Sequence, residues 1–290
     1  MSKTWRRQVN EPLRDTYLAR LGFRTVPPPT LDTLRALHRA QVERIPYENL
    51  WIALGEPRSI DPLDCVRYLA RRRGGYCYHL NGALGTLLDW LDFDVHWRVG
   101  GVQGSPSDQP SADGTHHVIE VHGLDDGPWL VDTGLGDGLL DPLPLAEGSY
   151  EQPPFTFTLR PSPTIDGGWR FDHDPRGSFV GMDFAPAEAK LADFAAGHQR
   201  LSTGPDSPFV RVVTASRRDT DAIYQLRGRV LKHIDETGIV HTELDTRADY
   251  FGLLADLFGL TLPDIDTTRR EALWARICAD HEAHLAAHSQ

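Results

Sequence analysis

Up to Leu91, apolar residues recur at helical spacing, and turn residues mark where each run starts and stops. Asp15-Thr16-Tyr17-Leu18-Ala19-Arg20-Leu21-Gly22 reads as a short helix closed by its glycine. Pro27 to Pro29 break the chain. Thr30 can cap the next helix, Leu31 to Val42, where Leu31, Leu34, Leu37 and Ala40 fall about one turn apart. A loop carries Ile45-Pro46-Tyr47-Glu48-Asn49-Leu50. Asp61 and Pro62 form a cap and first-turn pair for a helix through Leu69. The glycine turn Gly74-Gly75 then precedes a helix that begins near Cys77. Leu80, Leu84, Leu87, Leu88 and Leu91 form its stripe, and burying that stripe would hold its first turn rigidly.

The spacing changes after Leu91. Phe93-Asp94-Val95-His96-Trp97-Arg98-Val99 alternates as a strand does. Val102 to Gly114 is polar, holds Pro106 and Pro110, and reads as a loop. His117 to Val121 and Pro128 to Asp132 are predicted to form a hairpin about the Gly123 to Gly127 turn. Further strands are expected at Phe155 to Leu159 and Trp169 to His173, which makes the middle of the chain a small barrel. The last third mixes elements. A helix is expected over Phe184 to Ala196, a strand over Phe209 to Thr214 and more strand over Ala222 to Ile234. Helices follow over Thr246 to Phe258 and Asp266 to Leu285. The fold class is α+β, with a helical domain over 1–91, a β-barrel domain over 92–204 and an α/β domain over 205–290.

Composition narrows the function. The 290 residues are 40% hydrophobic and 24% charged, ordinary values for a globular protein. A formal net charge of -11 argues against a nucleic-acid binder, which meets phosphate with a basic face. Arg71 to Arg73 could still form a local basic pocket. Met1 to Asn10 are charged and polar with no apolar run behind them, so no secretory signal is expected. No stretch has the length of a membrane span. Three cysteines at wide spacing make no disulfide framework, and a cytoplasmic setting is expected.

Cys77 has the most unusual setting of the three, in Arg73-Gly74-Gly75-Tyr76-Cys77-Tyr78-His79-Leu80-Asn81. A free cysteine with a pKa of about 8.5 is only a few per cent thiolate at neutral pH. A helix N-terminus favours negative charge, and its open N–H groups could also receive the oxyanion of acyl transfer. A nearby imidazole could complete a thiolate–imidazolium pair. His116 and His117 stand at the start of the predicted hairpin and Asp132 at its end, so an aspartate could orient a histidine there. An inert cysteine in a tight turn, an exposed histidine pair and a turn aspartate are the structural alternatives. No Cys-x-x-Cys or His-Glu-x-x-His is present, and Gly134 and Gly136 make no dinucleotide fingerprint. No metal and no tightly bound cofactor are expected.

These segments together resemble the arylamine N-acetyltransferases. The Arg-Gly-Gly-aromatic-Cys core with Asn81 four residues on resembles the family's nucleophile motif. Thr115-His116 before the Val118 to Val121 strand is similar to its histidine segment. Val131-Asp132-Thr133-Gly134-Leu135-Gly136 is similar to its aspartate segment. Pro46-Tyr47-Glu48-Asn49-Leu50 and Tyr17-Leu18-Ala19-Arg20-Leu21-Gly22 are also similar to family signatures, in the family's order. The resemblance implies a helical domain, a β-barrel and an α/β lid, with a papain-like triad of Cys77, His116 and Asp132. It implies ping-pong transfer of acetyl from acetyl-CoA, through a Cys77 thioester, to an arylamine, hydrazine or arylhydroxylamine nitrogen. Acetyl-CoA is then a co-substrate, and coenzyme contacts are not assigned.

Two positions depart from the family pattern. His79 stands where a glutamate is usual, and Leu135 stands where an aromatic is usual near the acceptor. A one-residue slip would turn His117 instead of His116 toward the sulfur. Macrolactam-forming amide synthases, which use a larger acyl thioester, share the pattern and are the alternative within it. A thiol hydrolase with water as acceptor and a silent binding protein are the alternatives outside it.

Overall fold

The computed structural model describes residues 8–288. Residues 1–7, part of the segment read above for a secretory signal, lie outside the described residues. The N-terminal region holds α1 (Glu11–Leu21), α2 (Leu31–Arg44), a two-residue strand β1 (Tyr47–Glu48), α3 (Leu50–Ala53), α4 (Pro62–Ala70) and α5 (Cys77–Trp90). The sequence caps act as expected. Thr30 Oγ1 accepts from the Thr33 N–H, and Asp61 Oδ1 accepts from the Leu63 N–H ahead of Pro62. Every residue of α5 except Asp89 is buried, so this helix is the spine of the core and its start cannot drift.

The barrel follows: β2 (Asp94–Gln103), β3 (His116–His122), β4 (Trp129–Val131), β5 (Leu143–Pro144), β6 (Gly148–Gln152), β7 (Phe155–Pro161), β8 (Trp169–Asp172) and β9 (Gly181–Glu188). They form one antiparallel sheet in the order β5-β4-β3-β2-β9-β8-β7-β6, curled into a nearly closed barrel. Val118, Leu130, Phe157, Leu159, Phe171 and Met182 share one buried cluster inside it. The predicted hairpin forms, with Ile119 opposite Val131 and Val121 opposite Trp129.

The chain continues through a short turn of helix (Leu191–Phe194), α6 (Ala195–Thr203) and α7 (Pro208–Arg211). A second antiparallel sheet then forms from β10 (Thr214–Arg218), β11 (Ile223–Arg227), β12 (Val230–Asp235) and β13 (Gly238–Glu243), followed by α8 (Arg247–Asp256) and α9 (Thr267–His288). Strand β1 joins this sheet beside β10, which roots the C-terminal sheet against the segment just upstream of the cysteine. No described helix is long and apolar enough to cross a membrane.

Three expectations are corrected. The helix expected over Phe184 to Ala196 is strand β9 through Glu188, followed by a single helical turn at Leu191–Phe194, with α-helix beginning at Ala195. The Ala-rich stretch suits a helix locally. However, Met182 and Phe184 fill the barrel, and pairing with both β2 and β8 overrides propensity. The strand expected over Phe209 to Thr214 is helix α7 followed by a strand that starts at Thr214. Ser207 accepts from the Phe209 N–H and Pro208 opens the turn, a start signal hidden by the run of apolar residues. The loop expected from Val102 starts after Gln103, because β2 extends to pair with β9. Strands β1, β5, β6 and β13 were not legible as strands.

Candidate active site

Cys77 is the first residue of α5. Tyr76 precedes it in extended conformation and makes no side-chain cap; the His79 N–H bonds the Tyr76 carbonyl, and the N–H groups of Cys77 and Tyr78 stay open beside the sulfur. The Sγ lies 3.6 Å from the Thr115 carbonyl oxygen. Tyr78 donates to the Gly114 carbonyl, which holds the loop before His116 against the helix.

His116 opens β3, and Asp132 follows the last residue of β4. The hairpin therefore brings them together, with His116 Nε2 2.7 Å from Asp132 Oδ2 and both side chains buried. Asn81, one turn after Cys77 on α5, donates to Asp132 Oδ1 at 2.9 Å and to the His117 carbonyl at 2.6 Å. The Gly134 N–H also donates to Asp132 Oδ1, at 2.8 Å. These bonds tie the helix to both hairpin strands and leave Oδ2 to the imidazole.

The electrostatics separate the two histidines. Burial alone would depress His116, but the Asp132 carboxylate and hydrogen bonds to Asp132 and Cys77 outweigh it and push the ring up to about 10. Burial and the neighbouring His116 instead hold His117 well below the usual histidine range. The His117 ring stacks on Trp97 at 4.1 Å and lies 4.6 Å from Phe194. Alternation along β3 thus turns His116, not His117, toward the cysteine.

His79 is buried among Trp51, Tyr68 and Tyr76, with ring centroids 4.9 to 5.7 Å apart. Burial, then Arg58 and His198, keeps it well below the usual range, so it is a neutral packing group behind the helix. Arg71 to Arg73 do not converge on one pocket. Arg73 is buried and paired with Glu56 and Asp264, whereas Arg71 and Arg72 are exposed. Among the described residues no group of three or more His, Cys, Asp and Glu is placed to hold a metal ion.

Other supports were not legible. His38 on α2 faces the Leu140 carbonyl at 2.9 Å and the Asp132 carbonyl at 3.2 Å. Gln41, three residues on, reaches Thr133. These three partners lie 92 to 102 positions away, and a helical stripe of mostly apolar residues gives no sign of which polar members face a site. Asn81 did carry a signal: four residues after Cys77 is the same face of a helix.

Gly134 packs directly on Cys77. A Cβ there would lie 2.7 Å from Cys77 Cα and 2.9 Å from Asn81 Nδ2. Gly134→Ala must push the aspartate loop off the helix. It is expected to lower acyl-transfer turnover about a hundredfold in steady-state assays, while circular dichroism still shows a folded chain.

Comparison with known proteins finds relatives along most of the chain. A family model described as N-acetyltransferase matches residues 30–267. The arylamine N-acetyltransferase of Mycolicibacterium smegmatis is 33% identical over 259 residues, covering 86% of this chain and 92% of that protein. The structure of the Mycobacterium marinum arylamine N-acetyltransferase superposes with a TM-score of 0.81 at 31% identity, covering 91% of this chain and 98% of that one. The same M. marinum enzyme in complex with CoA gives 0.80 at 30% identity, covering 90% of this chain and 97% of that one.

Proposed function

The chain belongs to the arylamine N-acetyltransferase family, and we propose that it transfers acetyl from acetyl-CoA to an arylamine or hydrazine nitrogen by a ping-pong route through a Cys77 thioester. The observation that carries the site assignment is the buried 2.7 Å His116–Asp132 bond beside a cysteine that opens a core helix. The CoA complex of the M. marinum relative supports the donor.

In the first half-reaction the Cys77 sulfur attacks the thioester carbonyl of acetyl-CoA. Its new C–S bond pushes the carbonyl pair onto oxygen, and the open N–H groups at the start of α5 receive that charge. Collapse breaks the bond to the coenzyme sulfur, and the departing thiolate takes the His116 proton. Cys77 is now an uncharged thioester, so one of the influences that raises His116 is removed. The neutral ring can then take a proton from the attacking amine. Collapse of the second tetrahedral intermediate releases the amide and restores the thiolate–imidazolium pair. Asp132 keeps the ring aimed throughout. The three cysteines are free, which suits a reducing, cytoplasmic setting.

Intact mass spectrometry after mixing with isotope-labelled acetyl-CoA tests this. A labelled acetyl group on Cys77 that an arylamine discharges as amide is expected. Absence of the adduct, or its loss to free acetate whether or not amine is present, would overturn the reading.

A pH prediction follows from the same geometry. The free enzyme should keep the His116 proton until the pH rises through about 10, read by NMR of the imidazole. Capping Cys77 as a methyl disulfide removes the sulfur's contribution. The midpoint must then move down, toward neutrality. A midpoint unchanged by capping would separate His116 from the sulfur.

A further inference from the structure

A buried hydrogen-bond chain runs from α1 to the aspartate. The Tyr17 hydroxyl donates to Gln41 Oε1. Gln41 Nε2 donates to the Leu80 carbonyl at 3.0 Å and to Thr133 Oγ1 at 2.6 Å. Thr133 Oγ1 donates to Asn81 Oδ1 at 3.2 Å, and the Thr133 N–H donates to the same oxygen at 2.9 Å. Asn81 Nδ2 completes the chain on Asp132 Oδ1. All five residues are buried.

Its direction is forced by counting donors. The Leu80 carbonyl can only accept, so the Gln41 NH2 group faces it, and Gln41 Oε1 is left to take the one proton of the phenol. That places the Gln41 NH2 group on Leu80 and Thr133, using both of its hydrogens. Thr133 therefore accepts from Gln41, and its single hydroxyl proton points to Asn81. Asn81 Oδ1 is then occupied by two donors, and both Nδ2 hydrogens are used by the His117 carbonyl and Asp132. Neither amide can flip: a turned Gln41 would set Oε1 against the Leu80 carbonyl, and a turned Asn81 would set its NH2 group against the Thr133 N–H. Nothing in the acyl-transfer steps uses Tyr17, Gln41 or Thr133, yet the chain ends on the carboxylate that holds His116.

We propose that Gln41 is a positioning residue for acyl transfer. It fixes the Thr133 hydroxyl, and through it the Asn81 amide, so that Asp132 presents Oδ2 to His116. Aligned buried bonds of this kind polarise one another, so the effect reaches beyond the local contact. The inference rests on the triad reading above.

The test is a cycle of Gln41→Met, which keeps length and packing, with Thr133→Val, which keeps shape and loses the hydroxyl. Each single variant is expected to lower kcat about tenfold, with KM for acetyl-CoA changed less than about threefold, and to lower the His116 titration midpoint. The double variant should lose little more than either single one, because both cut the same chain. Thr133→Ser keeps the hydroxyl and is expected to restore the rate. If Gln41→Met does not fold, the contrast between Thr133→Val and Thr133→Ser still decides the matter. Single variants with wild-type kcat and an unmoved His116 midpoint would overturn the proposal. So would losses that multiply to about a hundredfold in the double variant, or a Thr133→Ser variant no better than Thr133→Val. The imidazole titration needs no substrate, so the proposal is still decided if wild-type enzyme forms no acetyl adduct and the functional reading falls.

Discussion

Cys77→Ala is expected to abolish amide formation, lowering turnover by about 10⁴-fold or more, and to leave the chain unlabelled after exposure to labelled acetyl-CoA. The other two cysteines cannot substitute. Cys65 is fully buried on α4, its Sγ set 3.7 Å from the Tyr78 carbonyl. Burial, then Asp61 and Asp64, pushes its thiol well above the ordinary range, so it stays protonated and unreactive. Cys278 lies on α9 in the C-terminal region, outside the contacts that join Cys77, His116 and Asp132. Truncating one sulfur removes little packing volume, so the melting temperature should stay near that of the wild type. Peptide mapping of the labelled wild type would complete the test. Label on Cys65 or Cys278, or residual turnover within about a hundredfold of wild type, would place the nucleophile elsewhere.

Different kinds of information explain what could be read from the sequence. Local signals sufficed for α2, α4 and α5. Thr30 and Asp61-Pro62 state where a helix starts, and the Leu80–Leu91 stripe states that α5 is buried, though its burial runs round the whole helix except at Asp89. Cys77, His116 and Asp132 stand out in the sequence because their three segments each have a distinctive local setting: a glycine turn before a helix, and the two ends of a hairpin. What local patterns could not supply was pairing at long range. Gly181–Glu188 becomes a strand because β2, some eighty positions earlier, offers an open edge, and nothing within the segment states this. Tyr47 and Glu48 become a strand only because Ser216 and Ala215 lie opposite them. The polar supports at His38 and Gln41 were hidden for the same reason. Their partners exist only once α2 has packed on the Asp132 loop.

The choice between His116 and His117 needed one more step than motif spacing. Alternation along β3 fixes it physically, because only one of two adjacent residues can face α5. The other is committed to Trp97 and Phe194. His79 shows the converse. It stands two residues after Cys77, and its aromatic surroundings hold it neutral, so it supports the helix through packing.

Asp132→Asn should lower kcat/KM by about 10³- to 10⁴-fold while leaving the fold intact, and hydrogen bonding around the carboxylate gives the reason. Oδ1 accepts from two donors, Asn81 Nδ2 and the Gly134 N–H. An amide at this position must keep its oxygen there, since its NH2 group would meet both donors head-on. The NH2 group then takes the place of Oδ2, 2.7 Å from His116 Nε2. That nitrogen must give up its proton and accept, which moves the ring's remaining proton to Nδ1. An imidazole fixed in that tautomer is held by a donor where it needs an acceptor, and its charged form loses the carboxylate that stabilised it. The His116 titration midpoint should therefore fall from about 10, because the Asp132 charge is the largest influence holding it up against burial. Stopped-flow acylation and an imidazole titration on the same sample would check both parts. A variant with an unmoved midpoint and a rate within tenfold of wild type would show that the carboxylate neither orients nor charges the ring.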